Sequence, residues 1–202
     1  MQHLIRFDDY TKDDVYEIFQ IADEIKDGKY QNFLEGKTVI LFFPNSSIRT
    51  RVAFEKGIHL LGQTILFPPE ALDKREKLED VIRYLNNWAD AAVIRHKNIA
   101  ILDEIAQYAS FPVINALTDE NHPCEILSDL YALSKLRNNF CTDKFLFVGA
   151  KGNIGGAWQE AAQVMGFELA QCCPKGYELD GVEVIRDLKE AVRGRDIICT
   201  DS

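Results

Sequence analysis

Apolar residues recur along the chain in two rhythms, a helical one of three and four and short unbroken runs bounded by turn residues. Thr11 with Asp14 three residues on forms an N-terminal capping box, and Val15, Ile18, Phe19, Ala22 and Ile25 follow at helical spacing up to Gly28. After Gly36 the β-rich run Thr38–Phe43 stops at Pro44-Asn45. Phe54, Ile58 and Leu61 then mark one face of a helix that ends before Gly62. The alternation continues with a strand at Gln63–Phe67, a helix at Glu76–Trp88, a strand at Ala91–Ile94 and a helix at Ile99–Tyr108. A strand at Val113–Ala116 and a helix from Pro123 to about Leu136 complete the series.

Strands that read as continuous apolar runs are buried on both faces, so the pattern predicts an α/β fold, a parallel sheet with helices on both faces, over residues 1–138. Asn138-Asn139 and the polar Cys141-Thr142-Asp143 mark a domain boundary. Residues 139–202 begin a second parallel-sheet domain, with a strand at Lys144–Val148, a helix at Ile154–Met165 and a strand at Phe167–Cys173. A short helix at Asp187–Val192 and a strand at Asp196–Thr200 follow. This second domain reads as incomplete, because Asp201-Ser202 follow a strand with no helix to cover it.

Composition narrows the partners. The chain has 202 residues, 47% of them hydrophobic and 27% charged, which is the profile of a globular protein and not of a disordered one. A net charge of −9 repels a phosphate backbone or an anionic membrane, so nucleic acid and membrane are excluded as partners. An anionic small molecule needs a local cluster of Arg, His and backbone N–H groups that works against that field. Five cysteines without CxxC spacing signal neither a disulfide framework nor a zinc knuckle. The longest strongly apolar run, Val39–Phe43, is far short of a membrane span, and a soluble cytoplasmic protein is expected.

Ligands of open α/β sheets bind beyond the carboxyl ends of the strands, and polar residues follow strand after strand here. Thr38–Phe43 leads into Ser46-Ser47-Ile48-Arg49-Thr50-Arg51, Ala91–Ile94 into Arg95-His96-Lys97, and Val113–Ala116 into Thr118 to His122. Ser46–Arg51 opens a helix, where unpaired N–H groups, hydroxyls and guanidinium suit a phosphate; it reads equally as an ordinary cap with surface arginines. Gly149 to Gly156, GAKGNIGG, stands between a strand and a helix as a loose variant of a dinucleotide-binding turn. The same glycines also suit close helix–strand packing, and the next strand ends in Cys172-Cys173-Pro174 without the acidic residue that would hold a ribose.

The segment FPNSSIRTRVAFE at 43–55 resembles the S-T-R-T-R carbamoyl-phosphate loop of the aspartate and ornithine carbamoyltransferases. AAVIRH at 91–96 matches the family's strand-end arginine, and NHPCE within 108–133 matches its H-P-x-Q motif. FVGAKGNIGGAW at 147–158, PKGYE at 174–178 and ICTDS at 198–202 are similar to its second domain in the ornithine style. The resemblance covers essentially the whole chain in the family's order. It implies that Ser47, Ile48, Arg49 and Thr50 bind the phosphate, that Arg95, His122 and Thr50 stabilise the carbamoyl oxygen, and that Glu125 and Lys74 belong to the same site. Asn153 and Asp201 fall where the family holds the amino acid. It implies transfer of a carbamoyl group to an amine, most simply ornithine, with no metal or cofactor and with a homotrimer in which Lys74 serves a neighbouring subunit. The sequence ends before the family's S-M-G loop, H-C-L-P motif and last helix, as either a fragment or a shortened relative would.

The departures from the family pattern keep other readings open. Ile48 replaces a threonine, Gly152 stands where ornithine enzymes often have an asparagine, and Glu125 replaces the glutamine that contacts the carbamoyl amide. A carboxylate beside an anionic substrate costs on the order of a few kcal/mol in a dry site. A diverged relative that binds an anion but uses another amine, or none, is the second reading, and a nicotinamide-dependent oxidoreductase the third.

Overall fold

A computed structural model describes residues 3–73 and 76–201. Helix α1 spans Lys12–Lys26, β1 Leu34–Phe42, α2 Arg49–His59, β2 Gly62–Phe67, α3 Leu78–Leu85, β3 Ala91–Arg95, α4 Ile99–Tyr108, β4 Val113–Leu117 and α5 Pro123–Leu136. After a 3-10 turn at Phe140–Thr142 come β5 Lys144–Val148, α6 Asn153–Met165, β6 Glu168–Cys172, β7 Glu183–Val184, α7 Leu188–Ala191 and β8 Ile197–Thr200. Two further 3-10 turns stand at Phe7–Asp9 and Pro69–Ala71.

The local causes are those the sequence names. The Thr11 hydroxyl accepts the Asp14 N–H at 3.3 Å, and the Asp14 carboxylate accepts the Thr11 N–H at 2.8 Å, so the box ahead of α1 is closed in both directions. Gly28 adopts φ +79° just beyond α1, a left-handed conformation that glycine reaches without a Cβ penalty. Asn98 caps α4 through its side chain, and Pro123 opens α5 where its missing N–H has no partner to lose.

The chain divides into two compact units, residues 1–5 with 16–119, and residues 6–15 with 120–202. This division falls ahead of α5, whereas the sequence reading places a boundary after it, at 138/139. The first unit holds a four-stranded parallel sheet in the order β2-β1-β3-β4. Its core lies on both faces of that sheet. Ile40, Phe42, Ile82, Ile94, Leu102 and Ile105 pack on one face, and Val39, Leu41, Phe43, Ile58 and Val93 on the other. Each such side chain contributes about 1.5–3 kcal/mol on burial.

Burial on both faces does not extend to every strand. β2 is exposed or half-exposed along its length, with Ile65, Leu66 and Phe67 all open, because it is the sheet's outer strand and only β1 flanks it. β1 starts earlier than expected, at Leu34, and a register irregularity separates Leu34 from Thr38. The helix expected at 76–88 is confined to α3, and Trp88 beyond it is exposed. Gly152 caps α6 in an extended conformation.

The second unit holds a four-stranded parallel sheet in the order β7-β6-β5-β8. The two-residue β7 carries too little pattern to be seen in the sequence. Phe145, Leu146 and Phe147 on β5 and Ala157, Trp158 and Ala161 on α6 are buried. A Cβ at Gly155 would stand 2.8 Å from the Phe147 ring, and one at Gly149 equally close, so both glycines admit that ring between strand and helix. Gly155→Ala is expected to destabilise the chain by about 1–3 kcal/mol. Gly57→Ala in α2, where a Cβ meets nothing within 4 Å, is expected to stabilise it by about 0.5–1 kcal/mol. Paired urea melts check both, and equal effects of the two substitutions would contradict the packing account.

Candidate functional site

Parallel pairing sends the loops after β1, β3 and β4 to one edge of the first sheet. Phe42 stands opposite Phe67 and Ile94, and Arg95 opposite Leu117 after a register irregularity on β3. The pairing runs on past the strands, since Phe43 N–H donates to the Phe67 carbonyl at 3.0 Å and His96 N–H to the Leu117 carbonyl at 3.1 Å. A cleft of about 500 Å³ opens at this edge, with Ser46, Asp73, Arg95, His96 and Asp119 in its walls.

Arg95 Nη1 donates to Ser47 Oγ at 3.2 Å, and Ser47 is buried, so two residues distant in sequence meet here. The neighbouring loop turns into α2 with Ile48 at the N-cap position and no side-chain cap, which leaves first-turn N–H groups for an outside acceptor. Arg49 is exposed and Thr50 half-buried, while Arg51 is ion-paired with Glu55 at 2.9 Å. The Ile48 side chain is open to solvent, with 73% of its surface exposed, so only its backbone can serve an anion.

The sequence reading marks His96 among the polar residues after a strand but not its partner Asp73, which also lines this cleft. His96 Nδ1 lies 3.1 Å from the Asn98 nitrogen and 3.2 Å from the Asn98 carbonyl oxygen, and its Nε2 stands 3.4 Å from Asp73 Oδ1. No local spacing links a loop after β2 to the end of β3. Lys74, next to Asp73, lies outside the described residues.

In the second unit, His122 stands immediately before Pro123 as the N-cap residue of α5 and is almost fully buried. Its Nε2 lies 3.1 Å from Glu125 Oε2, one turn along the helix. The preceding residue, buried Asn121, donates through Nδ2 to Glu160 Oε1 on α6 at 3.3 Å. The Phe7 N–H donates to the other oxygen of Glu160 at 2.8 Å. Burial pushes the Glu160 carboxyl above its ordinary range, and these two donors pull it back in part. On the next turn of α5, Asp129 is also raised, by burial first and then by the charge of Glu125, with His122 acting in the opposite direction. Asp129 and Glu160 are further residues that no motif singled out, although Asp129 sits at helical spacing from Glu125.

At the edge of the second sheet, Val148 stands opposite Cys172 and Thr200, so Gly149, Cys173 and Asp201 emerge together. Asp201 is exposed and Asn153 is half-buried at the start of α6. The fully buried Gln171 ties the loops of this edge, donating to the carbonyls of Gly149 and Tyr177 at 2.8 and 2.9 Å and accepting the Leu179 N–H at 2.7 Å. Gly149 and Gly155 are occupied with the Phe147 ring, which accounts for these glycines without a dinucleotide. Among the described residues, no helix is long and apolar enough to cross a membrane.

Residues 2–135 match the aspartate/ornithine carbamoyltransferase carbamoyl-P binding domain. Ornithine carbamoyltransferase from Geobacter metallireducens is 37% identical over 220 aligned residues, covering 99% of this chain and 73% of the relative. The enzyme of that name from Pelobacter propionicus is also 37% identical, covering 99% of this chain and 72% of its own length. Among solved structures, ornithine carbamoyltransferase from Burkholderia thailandensis E264 superposes with a TM-score of 0.91 at 28% identity, over 100% of this chain and 75% of the other. The Thermus thermophilus ornithine carbamoyltransferase does so with a TM-score of 0.91 at 27% identity, over 100% and 74%. NADH added to the purified chain is expected to give no saturable fluorescence change, whereas a hyperbolic titration would contradict the packing role of the glycines.

Proposed function

The chain belongs to the aspartate/ornithine carbamoyltransferase family, and on that premise we propose that it transfers the carbamoyl group of carbamoyl phosphate to ornithine, giving citrulline and phosphate. One observation carries this reading: Arg95 donates to buried Ser47 beside the uncapped start of α2, so a guanidinium, a hydroxyl and helix N–H groups converge at one strand edge.

In this reading Ser47, Arg49, Thr50 and the Ile48 N–H grip the phosphate. The uncharged amine of ornithine attacks the carbonyl carbon, a C–N bond forms, and the carbonyl electron pair moves onto oxygen. Arg95, His122 and the Thr50 hydroxyl stabilise that oxyanion, where preorganised donors gain most. The intermediate collapses as the oxygen's electron pair re-forms the C=O bond and the C–O bond to phosphate breaks, and the leaving phosphate, held at the Arg49 site, takes up the proton that the amine nitrogen releases. Glu125 faces the carbamoyl amide, Asn153 and Asp201 hold the amino acid, and Asp201 pairs with its α-ammonium. Residues 1–138 form the carbamoyl-phosphate domain and 139–202 the part of the amino-acid domain present in this sequence.

The assembly we propose is a homotrimer in the cytoplasm, in which Lys74 reaches a neighbour's site. The exposed apolar edge at Ile65, Leu66 and Phe67 supports an oligomer, since a bare outer strand of this kind invites cover.

A second reading, a diverged relative that binds the anion and carbamoylates another amine or none, is favoured by one contact, that of the Glu125 carboxylate with His122. Phosphate release from carbamoyl phosphate across ornithine, N-acylated ornithines, aspartate, putrescine and lysine separates the two. Ornithine is expected to give the fastest release, and release with a different amine alone would favour the diverged relative. Arg49→Ala is expected to weaken carbamoyl-phosphate binding by about 100-fold in calorimetry, the loss of a charged, two-pronged contact. Unchanged affinity in that variant would remove Arg49 from the site.

A further inference from the structure

His122 is the buried histidine among the described residues, and its two ring nitrogens have different surroundings. Nε2 faces Glu125 Oε2 at 3.1 Å, and the Glu125 side chain is about half exposed, at 49%. Nδ1 is buried and has no hydrogen-bond partner among the described residues. A neutral imidazole carries one N–H, and placing it on Nδ1 would bury an unpaired donor while leaving Nε2 and the carboxylate as two facing acceptors. The proton therefore belongs on Nε2, and Glu125 accepts it. Nε2 is thus the ring's only donor, and it faces the half-exposed Glu125 carboxylate.

An imidazole held in this way in its neutral form has no second N–H to offer a substrate carbonyl. We propose that Glu125 is a positioning residue for His122: its carboxylate fixes the Nε2–H tautomer and then yields that N–H to the carbonyl oxygen of carbamoyl phosphate. This rests on the carbamoyltransferase reading and deepens it. The glutamine expected at position 125 from the family resemblance could accept the same N–H, but as a neutral amide it would release the donor more readily, since hydrogen bonds to charged acceptors are the stronger kind. Asp129 on the following turn makes the exchange harder, because a released Glu125 carboxylate stays beside a second acidic group. Glu125 therefore sets how tightly carbamoyl phosphate is held, and the chemical step follows once the exchange is made.

The test has two arms on the full 202-residue chain. Side-chain nitrogen-15 NMR of His122, assigned with His122→Asn, is expected to show the Nε2–H tautomer in the wild type and in Glu125→Gln, and a displaced Nε2 resonance in Glu125→Ala, where that N–H has lost its acceptor. Added carbamoyl phosphate is expected to shift the Nε2 resonance. In kinetics, Glu125→Gln is expected to lower KM for carbamoyl phosphate about fivefold with kcat little changed. An Nδ1–H tautomer in the wild type overturns the proposal, as does a Glu125→Gln variant that loses kcat at constant KM. A wild type that keeps the Nε2–H signature and binds carbamoyl phosphate with no shift at Nε2 overturns the exchange. Absence of transfer to any amine, with that shift present, sinks the transferase reading and leaves the exchange standing.

Discussion

Parallel pairing of β1 with a neighbour on each side is the interaction on which the first unit depends. Phe42 is matched to Phe67 on β2 and to Ile94 on β3, and strands that share a direction must release their following loops at one edge. Ser47 and Arg95 lie 48 residues apart in sequence and 3.2 Å apart in space for that reason. The buried layers on the two faces of the sheet hold the register, since a one-residue slip would turn each layer outward. The same constraint in the second unit brings Gly149 and Asp201 to a common edge through Val148 and its two partners.

Electrostatics then decides what such an edge can hold. The chain is acidic overall, at −9, and an anion is bound only where local donors outweigh that field. The uncapped turn of α2 with exposed Arg49, and Arg95 on Ser47, are the donors at this edge that the proposed function assigns to the phosphate. Against them stand Glu70, Asp73 and Asp119 in the walls of the cleft. This balance of donors and carboxylates bears on affinity before it bears on chemistry.

The helices were legible because their signals are local. α5 coincides with the expected span, since Pro123 begins it and Ile126 and Leu130 repeat at helical spacing. The strand ends were legible too, because each is followed by a polar loop. The exposure of β2 was not, since an apolar run looks the same at the edge of a sheet as at its centre until the strand order is known. At the site, the types and spacing of Ser47, Arg49, Thr50, Arg95 and His122 could be read off the chain. The pairing of His96 with Asp73, the Asn121–Glu160 hydrogen bond and the Glu125 contact on His122 could not, because they depend on loop paths and side-chain rotamers.

The most direct measurement follows the carbonyl carbon itself. Carbamoyl phosphate labelled with carbon-13 is mixed with ornithine and the purified chain, and the label is tracked by NMR. The account predicts that the signal moves to the ureido carbon of citrulline as phosphate appears in equal amount. Label that passes only to the products of spontaneous decay, at the rate seen without protein, would contradict it.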